Sequence, residues 1–119
     1  MITAHRVQQA VAIFDGEVAV PAGQRVVAAA QLARSGLELA IVEVLAARGY
    51  DLRRARLTSR LIVFTCLVGA ELGATARLTW VGLTRACHRH AFELPPGPDE
   101  IRSLIVNVLQ VIEGIESTA

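Results

Sequence analysis

Arg85 and His90 frame the run Arg85-Ala86-Cys87-His88-Arg89-His90-Ala91-Phe92, with four residues between them, at a point where an apolar helical pattern runs out. A histidine exchanges a proton near neutral pH, and an arginine neutralises negative charge that grows on a phosphorus under attack. Held together, the two make up a minimal set for cutting RNA without a metal. A second reading of the same residues is structural. Arg85, His88, Arg89 and His90 fall in the last turns of a helix, where cations interact favourably with the negative end of the macrodipole at ~0.3–1 kcal/mol each. Both readings stay open on residue types alone.

Geometry sets a condition on the first reading. On an unbroken helix, residues five apart diverge by roughly 140°, because each residue advances by ~100°. Arg85 and His90 therefore converge only if the helix loosens or bends before His90. The following Phe92-Glu93-Leu94-Pro95-Pro96 cannot long remain helical and supplies such an ending. Arg85 and His88, three apart, share a face in either case. Cys87, His88 and His90 are all possible zinc ligands, but residues 87 and 88 point in different directions from a helix. No second CxxC or HxxxH supplies the remaining ligands, so neither a metal nor another cofactor is predicted.

The elements that must position this segment are helical. Thr3 to Phe14 places Val7, Ala10, Val11 and Phe14 at helical spacing, with Thr3 as cap and Asp15-Gly16 as stop. Glu17 to Val20 reads as a connector cut short by Pro21-Ala22-Gly23. Gly23 to Arg48 carries the longest apolar stripe and ends in Arg48-Gly49, the order that a helix C-terminus prefers. Gly36 interrupts that stripe and points to a backbone passing close by. Asp51 is expected to cap a third helix running to about Val68 over Leu57, Leu61, Phe64 and Leu67, with Gly69 or Gly73 making the turn. A fourth helix, from about Ala74 towards Arg89, offers Leu78, Trp80, Val81 and Leu83 as its apolar residues. Pro95-Pro96-Gly97-Pro98 separates it from a last helix that starts at Pro98-Asp99-Glu100 and buries Ile101, Leu104, Ile105, Val108, Val111, Ile112 and Ile115. The predicted fold is an all-α antiparallel bundle of four to five helices in one domain, with residues 1–22 as N-terminal helix and connector and 23–116 as the core bundle.

Composition limits the function classes. Of the 119 residues, 53% are apolar against 19% charged, an excess that predicts a face buried against a second subunit, hence a homodimer. No apolar run approaches the ~20 residues of a bilayer span, and the N-terminus lacks a secretory pattern, so a soluble cytoplasmic protein with no membrane partner is expected. Cys66 and Cys87 form no disulfide framework and are read as reduced. All 12 basic residues are arginine, which a GC-rich genome explains, and the net charge of +1 confines any RNA contact to a local patch. Arg53, Arg56 and Arg60, with Arg54 adjacent, recur at helical spacing as a candidate phosphate-binding ridge, or else as a solvated helix face. Trp80, Tyr50 and Phe64 lie among apolar neighbours and read as core or interface residues rather than base-stacking platforms.

The order arginine, four residues, histidine, any residue, aromatic, closing a bundle helix ahead of a loop and a final amphipathic helix, resembles the HEPN superfamily. The upstream helix from Gln31 to Gly49 is similar to the helix preceding a glycine in such bundles. The likeness covers roughly Gln24 to Ile115 in architecture, and its specific part is eight residues long. It implies a small helical bundle, dimeric, acting as a metal-independent endoribonuclease of a toxin–antitoxin or antiviral defence system. Arg85 and His90 are then the catalytic residues, His88 and Arg89 auxiliary ones, and Arg53, Arg56 and Arg60 candidates for RNA binding. His90 serves as base or acid in attack of a ribose 2′-hydroxyl on the adjacent phosphate, and Arg85 stabilises the phosphorane. A dimer supplies a second pair, giving a composite site. RNA is the implied substrate, and a cognate antitoxin or defence-complex subunit the implied partner. Two departures stand against the pattern: Ala86 replaces a residue that is commonly polar, often asparagine, and Phe92 replaces the frequent tyrosine. The alternative they favour is a non-catalytic RNA- or protein-binding module.

Overall fold

The computed structural model describes residues 2–17, 20, 22–88 and 97–118. They form an all-α bundle of five helices, with no strand among the described residues. The first helix, α1 (Ile2–Phe14), takes in Thr3 within its first turn rather than using it as a cap. It sends Val7 and Ala10 into the core and stops where the Glu17 N–H reaches back to the Ala12 carbonyl at 2.9 Å. The 26-residue α2 (Ala22–Ala47) touches every other helix. Ala29, Ala30, Ala33 and Ala40 keep that side of α2 thin, so its neighbours can close on it, while Leu37, Ile41 and Leu45 fill the space between. Gly49, at φ +89°, ends α2 in the left-handed region, and the Tyr50 N–H bonds the Leu45 carbonyl at 2.8 Å.

The chain departs from the predicted pattern at Asp51. That residue does not cap a helix; its carboxylate binds the Arg53 guanidinium at 3.0 and 3.2 Å. Residues 50–56 are loop, and α3 (Leu57–Val68) begins behind an extended Arg56 that caps nothing with its side chain. Leu61 and Phe64 are buried as expected. Gly69, at φ +103°, makes the turn, and α4 (Ala70–Cys87) resumes at once, four residues earlier than the sequence pattern places it. Gly73 is thus not a turn residue but lies inside α4, buried against Thr65.

The core side of α4 also differs from expectation. It consists of Gly73, Ala76, Thr79, Leu83 and Ala86. Of the predicted apolar residues only Leu83 is fully buried; Trp80 is half-buried, while Leu78 and Val81 are 61% and 45% exposed. The reason is crowding: α4 packs against α2, α3 and α5, and its core side is mostly small residues, with Leu83 the large one among them. The last helix, α5 (Pro98–Thr118), opens on Asp99 and Glu100 and buries Ile101, Ile105, Val108, Val111 and Ile112, with Leu104 and Ile115 packed against them. Among the described residues no helix is long and apolar enough to cross a membrane.

Candidate functional site

The C-terminal end of α4 carries the described part of the arginine and histidine segment. Arg85 lies in the last turn and is exposed, and among the described residues its guanidinium has no hydrogen-bond or ion-pair partner. One turn on, His88 is also exposed. Its backbone, at φ −116° and ψ 46°, has left the helical region, and its N–H closes the helix on the Thr84 carbonyl at 3.0 Å. Arg89, His90 and Phe92 lie outside the described residues. What the described chain does establish is that α4 stops at Cys87, before His90. That satisfies the condition under which residues five apart can converge.

Behind the exposed pair, the helix is tied to α2. Ala86 is 3% exposed and belongs to the core. The Arg34 guanidinium, from α2, lies over the Trp80 ring at 4.4 Å from its centroid, a contact worth ~0.5–2 kcal/mol depending on desolvation. Trp80 therefore has one face occupied by protein. Cys87 is partly buried beside the same arginine: burial pushes its thiol pKa up, while the charge and a hydrogen bond of Arg34 pull the other way. Among the described residues, buried Arg34 Nε and Thr84 Oγ1 have no hydrogen-bond partner. Both cysteines are free, Cys66 being exposed on α3. Sequence reasoning passed over Arg34, although an arginine between Ala33 and Leu37 on the longest apolar stripe was a visible anomaly.

The proposed arginine ridge does not form. Arg53 sits in the loop before α3, paired with Asp51, whose carboxyl is held below its ordinary range by that guanidinium. Arg56 is exposed at the start of α3. Arg60, one helical turn on, is only 7% exposed and points inward. Its Nε donates to the Leu52 carbonyl at 2.7 Å, Nη1 to Glu38 at 2.8 Å, and Nη2 to the Arg53 carbonyl. With its donors engaged by protein acceptors, Arg60 anchors the loop to α2 and is not available to a phosphate. The signal for this was Glu38, a carboxylate in the apolar part of α2 that pairs with it.

Comparison of the chain with models of protein families, with curated proteins and with solved structures finds no match.

Proposed function

We propose that this bundle is a metal-independent endoribonuclease, with Arg85 and His90 as its catalytic residues, operating as a homodimer in a toxin–antitoxin or antiviral defence setting. The observation that carries the reading is Arg85: an exposed guanidinium with no partner among the described residues, on the terminal turn of a helix that ends before His90. An arginine exposed in that position, and unpaired among the described residues, can meet a phosphate. The all-α bundle agrees with the resemblance to the HEPN superfamily, from which the defence setting and the histidine's role are taken.

In the proposed reaction the ribose 2′-hydroxyl loses its proton to a base and attacks the adjacent phosphorus, the bond to the 5′-oxygen breaks, and that oxygen takes a proton. The products are a 2′,3′-cyclic phosphate and a 5′-hydroxyl. Arg85 compensates the charge of the phosphorane, and His90 moves one of the protons. In-line displacement puts base and acid on opposite sides of the phosphorus, so a second proton carrier is required. It comes either from the second motif of a homodimer, as the resemblance implies, or from His88, exposed one turn from Arg85.

Incubation of the full chain and of an Arg85→Ala/His90→Ala double variant with single-stranded and structured RNAs, in EDTA, tests the proposal. Cleavage by the wild type alone, leaving cyclic phosphate ends, is expected. No difference between the two proteins refutes it and turns the reading to a non-catalytic binding module. Ala86 favours that second reading: it is a core position here, so the polar group common in the family at this point is replaced by packing.

A further inference from the structure

Gly69 folds α4 back along α3, and Thr65 packs against Gly73 just beyond the turn. Along the same seam a groove lies between the two helices, lined by Leu61, Ile62 and Cys66 of α3 and by Trp80 and Val81 of α4. Its volume of about 460 Å³ falls within the roughly 300–1,000 Å³ of small-molecule sites. Leu61, 7% exposed, makes the floor, while Ile62 at 62% and Val81 at 45% are apolar side chains that the fold leaves in water on either side. From Thr58 to Cys66 the groove follows α3 for roughly 12 Å, eight residues at ~1.5 Å each. Trp80 is held from behind, since Arg34 covers one face of its ring from α2.

The charges identify what the groove takes. Arg77 is the one charged residue that lines it, and no carboxylate does. Arg77 is exposed and, among the described residues, has no hydrogen-bond or ion-pair partner. It differs in this from Arg60, which is engaged by Glu38 and two loop carbonyls, and from Arg34 on Trp80. A long side chain that lines an apolar groove while exposed lays its stem on the wall and keeps its charge at the edge of the water. The complement is an apolar chain with one negative group. A cation is repelled there, and a plain hydrocarbon leaves the guanidinium without a role.

We infer that the groove between α3 and α4 binds a medium-chain alkyl carboxylate, its chain over Leu61 between Ile62 and Trp80 and its carboxylate paired with Arg77. The planar guanidinium offers a carboxylate two parallel donors. Neither Arg85 nor His88 lines the groove, so the inference stands apart from the nuclease reading.

Trp80 is the only tryptophan of the chain, so its fluorescence reads occupancy of the groove. Titration of the full chain with decanoate, below its micelle concentration, is expected to give a saturable change. Decanoate should also slow iodoacetamide alkylation of Cys66, on the groove wall, and not that of Cys87, which does not line it. Arg77→Met keeps an apolar stem and should weaken decanoate by about fivefold, as for an ion pair at the surface, while leaving 1-decanol unchanged. Ile62→Glu, at an exposed position, sets a charge beside the chain; it should weaken decanoate by roughly tenfold with an unchanged helical circular dichroism spectrum. No saturable change, a change only with phosphatidylglycerol vesicles, or an Arg77→Met effect that is no larger for decanoate than for 1-decanol overturns the inference. RNA cleavage enters none of these readouts.

Discussion

Replacing Arg60 by methionine separates the architectural arginine from the ones that face solvent. The substitution keeps most of the aliphatic stem and removes a guanidinium that donates to Leu52 O, Glu38 Oε1 and Arg53 O. Glu38 loses least, since its side chain is 45% exposed and rehydrates once its partner is gone. The two loop carbonyls face a buried position, and each costs about 1–3 kcal/mol if left without a donor. Partial opening of the 50–56 loop lets water reach them, which caps the sum at the lower half of that range. The expected loss is about 2–4 kcal/mol, and at about 4 °C per kcal/mol for a chain of this length the melting temperature falls by roughly 8–16 °C. Arg54→Ala and Arg56→Ala, at exposed positions with no ion pair described, should stay within about 0.5 kcal/mol. Urea unfolding followed by circular dichroism measures all three. An Arg60→Met protein as stable as the wild type, but with weaker RNA binding, refutes this reasoning and reinstates Arg60 as an RNA contact.

Two further expectations follow from the packing. Gly73→Ala places a Cβ 2.2–2.7 Å from three Thr65 atoms, including Thr65 Cβ, which no side-chain rotation can move away. The overpacking cost of about 1–3 kcal/mol exceeds the ~1 kcal/mol gained in helix propensity, so the variant is destabilised, whereas Gly82→Ala meets mainly the flexible end of Leu104 and stays near neutral; equal unfolding midpoints for the two reject this account. Cys87, its thiol pKa raised by burial and partly offset by Arg34, should react with iodoacetamide more slowly than the exposed Cys66; Arg34→Met removes the offsetting pull, raises that pKa further and lowers the thiolate fraction at a given pH, and faster Cys87 alkylation in the variant contradicts the assignment.

The helices were legible wherever local chemistry marked their ends: Asp15-Gly16, Arg48-Gly49 and Pro98-Asp99-Glu100 stop or start α1, α2 and α5 as their residue types demand. Asp51 was misleading because a cap and a side-chain pair compete for the same carboxylate. With Arg53 two residues away, the carboxylate pairs with the guanidinium. The arginine ridge failed for a related reason. Spacing along the chain says which residues share a face only if all of them are on the helix, and Arg53 precedes it. Which arginine turns inward depends on Glu38, 22 positions earlier in the chain, and no local window contains both. The helix end ahead of His90 followed from the apolar pattern running out before the prolines, a local signal, although α4 stops at Cys87, two residues short of the expected Arg89.

The orientation of α4 was not legible, and the cause bears on function. Its sequence offers two interleaved stripes, Gly73-Ala76-Thr79-Leu83-Ala86 and Ala74-Leu78-Val81-Arg85-His88, and ranking by hydrophobicity favours the second for the core because its apolar side chains are larger. The fold inverts that ranking because close helix contact is a matter of shape. Thr65 fills the space where Gly73 has no side chain, and Leu104 lies against Gly82, so α3 and α5 leave little room for a larger side chain at those two positions, while Leu83 still fits on the inner side. The larger apolar residues are left outside as the remainder of that choice, contiguous and at coiled-coil spacing, on the helix that ends in Arg85.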